Sequence, residues 1–241
     1  MKRALDLIIS TVGLIVILPI LAPFCLLIFL QDGYSPFYIA ERVGLGGKTF
    51  KMVKLRSMII NAEKTGVDST GELDNRITKI GHFVRKYKLD ELTQLFNVFK
   101  GEMSLVGPRP NVKRETDLYT SQELFLLTAK PGITDFSSII FSDEGAILKN
   151  EKNPDIAYHQ LIRPWKSKYG IFYIHNKNLK LDIKLILITM QGIFSRTRAL
   201  KNTQQLLKAC GADQVLCELS LRNKKLIPSP PPGMNTIVTS R

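Results

Sequence analysis

Cysteine is scarce in this sequence, with three in 241 residues, at positions 25, 210 and 217, and no Cys-x-x-Cys pair among them. That spacing speaks against a disulfide framework or a cysteine zinc site and fits reduced thiols in a cytoplasmic setting. Histidine is equally thin: His82, His159 and His175 lie far apart and out of ligand spacing, so no histidine-bound metal is expected. Acidic residues number 21 against 34 basic ones, a formal charge of +13. Such an excess calls for an anionic partner, which nucleic acid, phospholipid headgroups or a phosphorylated substrate would each satisfy. The cations are dispersed and no zinc finger, RRM or basic zipper is present, so nucleic acid is not expected. A phosphate-binding loop is missing too. "GLGGKT" at 44–49 ends like one, but Arg42 stands where the motif needs glycine, and a hairpin turn accounts for the glycines.

What the chain does have is one long apolar run, Leu7 to Leu30, behind Lys2 and Arg3. As a straight helix it would be roughly 36 Å long, enough for a hydrocarbon core of about 30 Å, and the two cations would hold its start at the cytoplasmic face. The length exceeds a signal-peptide core and no clear cleavage site follows. Pro19 and Pro23 fall inside the run, each removing a backbone donor, so a bend near Pro19 is expected. Hydropathy favours a kinked spanning helix. The basic segment that follows "QDGYSP" favours a helix that dips in and returns, because Lys and Arg resist translocation. No second run is long enough to span; "LDIKLILITMQGIF", 181–194, reads as a core or interfacial helix.

The remaining pattern is α-rich α+β. "PFYIAERVG" and "KTFKMVKLRSM" read as two strands around the glycine turn. Helical spacing recurs in Ile77, Ile80, Phe83, Val84 and Tyr87, and again in Leu89, Leu92, Leu95, Phe96 and Phe99, so two amphipathic helices meet near Lys88. Further helices are expected over 112–128, 155–169, 182–195 and 203–221, followed by a proline-rich, extended or disordered tail.

At that meeting point stands "KLDELTQLFNVFKGEMSLVGPRP", which sets Asp90 beside Glu91 in a first helical turn and Arg109 between two prolines. Adjacent helical residues point about 100° apart, so the carboxylates cannot duplicate each other's contacts. A helix N-terminus favours their ionised forms, which is also ordinary capping chemistry. A guanidinium on a restrained backbone suits bidentate phosphate contact. Arg85 precedes the pair by about one and a half turns, and Lys54 and Arg56 could join from the strand region.

These stretches, with "KRALD", "ERVGLGGKTFKMVKLRSM" and "KPGITDFSSI", resemble the bacterial sugar transferase superfamily, small monotopic phosphoglycosyl transferases; the likeness covers about Lys2 to Leu187. The resemblance implies a proline-bent re-entrant membrane helix at 1–30 and a cytosolic interfacial catalytic domain at 31–225, with amphipathic helices and a small hairpin or sheet around the site. Residues 226–241 form a proline-rich tail. It implies transfer of sugar-1-phosphate from a UDP-sugar to polyprenyl phosphate at the cytoplasmic face of a bacterial inner membrane, among its phospholipids, with release of UMP. Asp90 would be the nucleophile and Glu91 its partner for Mg²⁺ or proton transfer, both serving as metal ligands; Arg85 and Arg109, with Lys54 and Arg56, would bind phosphate. The chain departs from the family pattern at Leu18, where serine is usual, and at Asp135, Phe136 and Ser137 after the PGIT stretch. The sugar and the oligomeric state stay open, a homodimer among the options. Two rivals are a non-catalytic membrane-anchored protein that binds anionic lipid and a single-displacement transferase using Asp90 or Glu91 as base.

Overall fold

The computed structural model describes residues 1–62 and 74–240. The apolar run forms one helix, α1 (Lys2–Asp32), which continues through Pro19 and Pro23. It stops where Gly33 takes a left-handed conformation and donates back to the Phe29 carbonyl. By length and composition α1 could cross a membrane. Its outer face is bare: Ile8, Val12, Ile15, Leu18, Leu26 and Leu30 are exposed. Its inner face buries Asp6, Ser10, Leu21 and Ile28.

Strands β1 (Phe37–Val43) and β2 (Thr49–Leu55) pair antiparallel as expected, in register from Phe37 opposite Leu55 to Val43 opposite Thr49. Gly46 and Gly47, both at positive φ, make the turn. Beyond it the two expected amphipathic helices become three: α2 (Lys79–Lys86), α3 (Leu89–Leu92) and α4 (Leu95–Lys100). Lys88, at φ 54°, separates the first two. Thr93 divides the others, because its Oγ1 lies 2.9 Å from both the Val53 and Asp90 carbonyls and ties the turn to β2 instead of prolonging a helix.

A second strand pair was not foreseen. The short parallel strands β3 (Ser104–Val106) and β4 (Gly132–Thr134) bring Gly107 against Gly132, so closely that a Cβ on Gly132 would lie 2.0 Å from the Gly107 nitrogen. Between them the expected helix over 112–128 is reduced to α5 (Lys113–Thr116) and a 3₁₀ segment, Glu123–Thr128. The cause is Glu123, whose buried carboxylate accepts from the Thr120 amide, Ser167 and both Nε and Nη2 of Arg163, which fixes a fold-back. Short helices α6 (Phe136–Ile140), α7 (Glu144–Leu148) and α8 (Pro154–Ala157) lead through a π turn at Tyr158–Ile162 into α9 (Arg163–Asn176). Then come α10 (Leu179–Phe194), α11 (Arg196–Ala209) and α12 (Gln214–Leu219). The single helix expected over 203–221 is split at Gly211, φ 76°.

One large core joins these helices around Val98, Met103, Phe136, Ile140, Tyr169, Leu185 and Leu207, and a smaller one joins Leu21 and Ile28 to Leu55 and Val84. The first turn of α1 is bonded into the body. Lys2 reaches the Val106 carbonyl at 3.0 Å and Asp182 at 2.5 Å, Arg3 caps the carbonyls of Val98 and Phe99, and Asp6 accepts from Ser104 and the Leu105 amide. These cations, expected only to orient the helix, are thus specific ties. Among its described residues the tail after Leu226 has no regular structure, yet Ser229 and Val238 both bond to Gln160 and Pro232 accepts from Thr120. Residue 241 lies outside the described residues.

Candidate active site

The antiparallel register decides which strand residues face the acidic pair. Directly opposed residues share a face and faces alternate along a strand, so Lys54, opposite Tyr38, lies on the same side as Met52 and Ala40, both buried in the core, and as Arg42. The outer edge of β2 is held by α4: Asn97 Oδ1 accepts from the Val53 amide at 3.0 Å, and Nδ2 donates to the Lys51 carbonyl at 2.7 Å. Together with Thr93 these bonds fix Lys54 beside α3, which carries Asp90 and Glu91.

Arg109 reaches the same place from the loop after β3. Its Nη2 bonds Glu91 Oε1 at 2.7 Å. The backbone contact of Gly107 with Gly132 holds that loop against β4, and Pro108 and Pro110 restrain the arginine on either side. Four expected residues therefore converge, Lys54, Asp90, Glu91 and Arg109, and Arg85 acts on Asp90 by its charge. Arg56 does not join them. It is buried, pairs with both oxygens of Asp32 at 2.5 and 2.6 Å, and also donates to the Ser35 carbonyl. The phosphate contact expected of it is not among its bonds here; its donors hold the end of α1.

The two carboxylates are set in opposite directions. Burial pushes Asp90 up, against the pull of Lys54. Burial acts upward on Glu91 too, but Arg109, Lys88 and Lys54 overcome it and hold the group at about 2. The sequence reading kept both ionised by a helix terminus; a four-residue helix supplies little dipole, and loss of water dominates at Asp90. Among the described residues no hydrogen bond reaches the Asp90 carboxylate, whereas Glu91 is already paired. Lys54 is lowered to about 8, first by burial and then by Arg109. In the other direction, Glu91 raises Arg109.

Arg42 is the residue that sequence reasoning passed over. It is half-buried, burial lowers its pKa, and Arg109 and Arg114 press on it further. The signal was present in the strand alternation, which places it on the Lys54 face. Beside Arg109 opens a cleft of about 390 Å³, counting space open to solvent, lined among others by Asn111, Tyr119, Asp135, Tyr158 and Lys166. For a metal, two adjacent carboxylates are on offer, and the described residues hold no cluster of three or more His, Cys, Asp or Glu. That donor set fits Mg²⁺, which binds through one or two carboxylates and takes its other oxygens from phosphate and water.

Residues 1–196 match the family model described as bacterial sugar transferase. The chain is 35% identical over 217 residues to a UDP-galactose-lipid carrier transferase of Erwinia amylovora, covering 83% of this chain and 41% of that protein. It is 36% identical over 207 residues to the exopolysaccharide production protein ExoY of Rhizobium meliloti, covering 80% and 84%. It is 40% identical over 154 residues to an undecaprenyl-phosphate galactose phosphotransferase of Salmonella typhimurium, covering 56% and 31%. The chain thus spans less than half the length of two of these three curated relatives.

Proposed function

The chain belongs to the bacterial sugar transferase family, and from that premise we propose that it moves a sugar-1-phosphate from a UDP-sugar to a polyprenyl phosphate, with Asp90 as nucleophile. One observation carries the assignment of Asp90. Its carboxylate is half-buried and free of hydrogen bonds among the described residues, while cations surround it and its neighbour Glu91 is committed to Arg109.

The chemistry follows from those positions. A carboxylate nearing a diphosphate meets a repulsion of about 4 kcal/mol per unit pair at 4 Å and an effective dielectric near 20. Lys54, Arg85 and Arg109, whose charges bear on Asp90, offset it. An Asp90 oxygen bonds to the sugar-bearing phosphorus as the bond to UMP breaks, and UMP leaves with the electron pair. The polyprenyl phosphate oxygen then attacks the same phosphorus, and the Asp90 carboxylate is restored. Mg²⁺, held by Asp90 and Glu91, would neutralise charge on the departing UMP. Glu91, kept ionised and fixed by Arg109, also holds that arginine for the donor phosphates.

Membrane association through α1 is supported by its exposed apolar face. A re-entrant course within the cytoplasmic leaflet is supported by the ties at both ends: Lys2 and Asp6 bond to the body at one end, and Asp32 bonds to Arg56, one residue beyond β2, at the other. A helix that crossed and left would carry Asp32 away from that body.

Mixing the chain with UDP-sugar and Mg²⁺ alone is expected to release UMP and leave a phosphosugar adduct on Asp90. Asp90→Asn should fold, form no adduct and lose turnover by several orders of magnitude. A fully active Asp90→Asn chain, or an adduct on another side chain, would overturn the assignment. A panel of UDP-hexoses and their N-acetylated forms, scored by UMP release, would then identify the donor.

A further inference from the structure

Beside the acidic pair, α2 and α1 present a row of rings that donor chemistry does not use. Phe24 of α1 stacks on Phe83 of α2 at 5.4 Å between centroids, and Phe83 meets Tyr87 at 4.5 Å. Phe83 and Tyr87 are 46% and 53% exposed, so the row opens to the surface, while Phe24 also packs on the smaller core. Its inner neighbours Leu21, Ile28, Leu55 and Val84 make the buried layer beneath. One end of the row lies on the apolar helix next to Pro23. The other lies three residues before Asp90, where Lys86 Nζ sits 5.6 Å from the centre of the Tyr87 ring and Arg85 bears on the Asp90 charge.

We propose that the row Phe24–Phe83–Tyr87 binds the isoprenoid chain of the lipid-phosphate acceptor and leads its phosphate to Asp90. The proposal rests on the two-step transfer described above and names the acceptor's place at that site. Charge and polarity select this occupant. The acceptor is an apolar chain with a single anionic end, and the row runs from an exposed apolar helix to cations and then to the reacting carboxylate in that same order. Sugar nucleotide has no apolar tail to place there. Rings packed edge and face against hydrocarbon contribute through buried area, and the ammonium over Tyr87 is free to meet phosphate without leaving the ring.

The two half-reactions make the test. Phe83→Ala and Tyr87→Ala are assayed in detergent micelles, first with donor alone and then with a long polyprenyl phosphate or a two-isoprene phosphate as acceptor. Because these side chains are half exposed, the variants should fold, and adduct formation from donor alone should stay within about twofold of the unaltered chain. The KM for the long acceptor should rise about tenfold, the loss expected from one ring's apolar contact, with little change for the short acceptor. Equal losses on both acceptors, or none on either, would overturn the proposal. So would a loss that tracks weakened sedimentation with phospholipid vesicles, which would make the rings bilayer anchors. If the unaltered chain released no UMP from donor alone, the two-step reading would fail first and take this one with it. Normal adduct formation with unchanged acceptor KM would remove the row alone.

Discussion

Lys54 gives the site a pH dependence with a definite sign. Its pKa is lowered to about 8, so the ammonium is present below that value and is lost as pH rises through it. Asp90, raised from the ordinary carboxylate range, is protonated when pH falls through its own value, and the proposed nucleophile is lost with its charge. The kcat/KM for donor should therefore be bell-shaped, with its basic limb near pH 8. Lys54→Arg should remove that limb, since a guanidinium stays charged there. An unchanged limb in Lys54→Arg would assign it to another group. At this scale most of the site could be read from sequence, because Asp90, Glu91 and Arg109 lie in one stretch of 20 residues. Arg56 could not. Its pairing with Asp32 depends on where a distant helix ends, which no local pattern states.

Elements succeed or fail as predictions according to whether their own period decides them. The hairpin formed where alternation and a double glycine agreed. Helices over 112–128 and 203–221 were broken by features outside the period: a buried Glu123–Arg163 pair and a left-handed Gly211. Strands of three residues, β3 and β4, have too little sequence for alternation to show. They matter nonetheless, since their glycines meet backbone to backbone and aim the arginine loop. Gly132→Ala would put a methyl carbon 2.0 Å from the Gly107 nitrogen, and strands must part to admit it. A loss of roughly 1–3 kcal/mol is expected from such overpacking, read as a lower Tm. The KM for donor should rise as well, because Arg109 moves with Gly107. An alanine variant with the original Tm and donor KM would show that this contact positions nothing.

At the scale of the molecule, the course of α1 is the feature that hydropathy left open, because length counts apolar residues and does not see which ends are tied. Ala4→Cys and Gln31→Cys, introduced singly in a chain freed of its own cysteines, place a thiol near each end of the helix. In sealed inverted vesicles both should react with an impermeant maleimide added outside, as a helix that re-enters requires. Labelling of Ala4→Cys alone would mean that the helix spans. The two ends differ in what holds them. Lys2 is paired with Asp182, 180 residues further along the chain, and buried Asp6 with Ser104 and Leu105. During translation α1 emerges long before either partner exists, and its earliest turn must wait at the lipid surface with a charge unmet until Asp182 is made. Membrane association of α1 would then come before tertiary assembly, and a ribosome stalled before Asp182 would leave a nascent chain that is anchored yet unable to close.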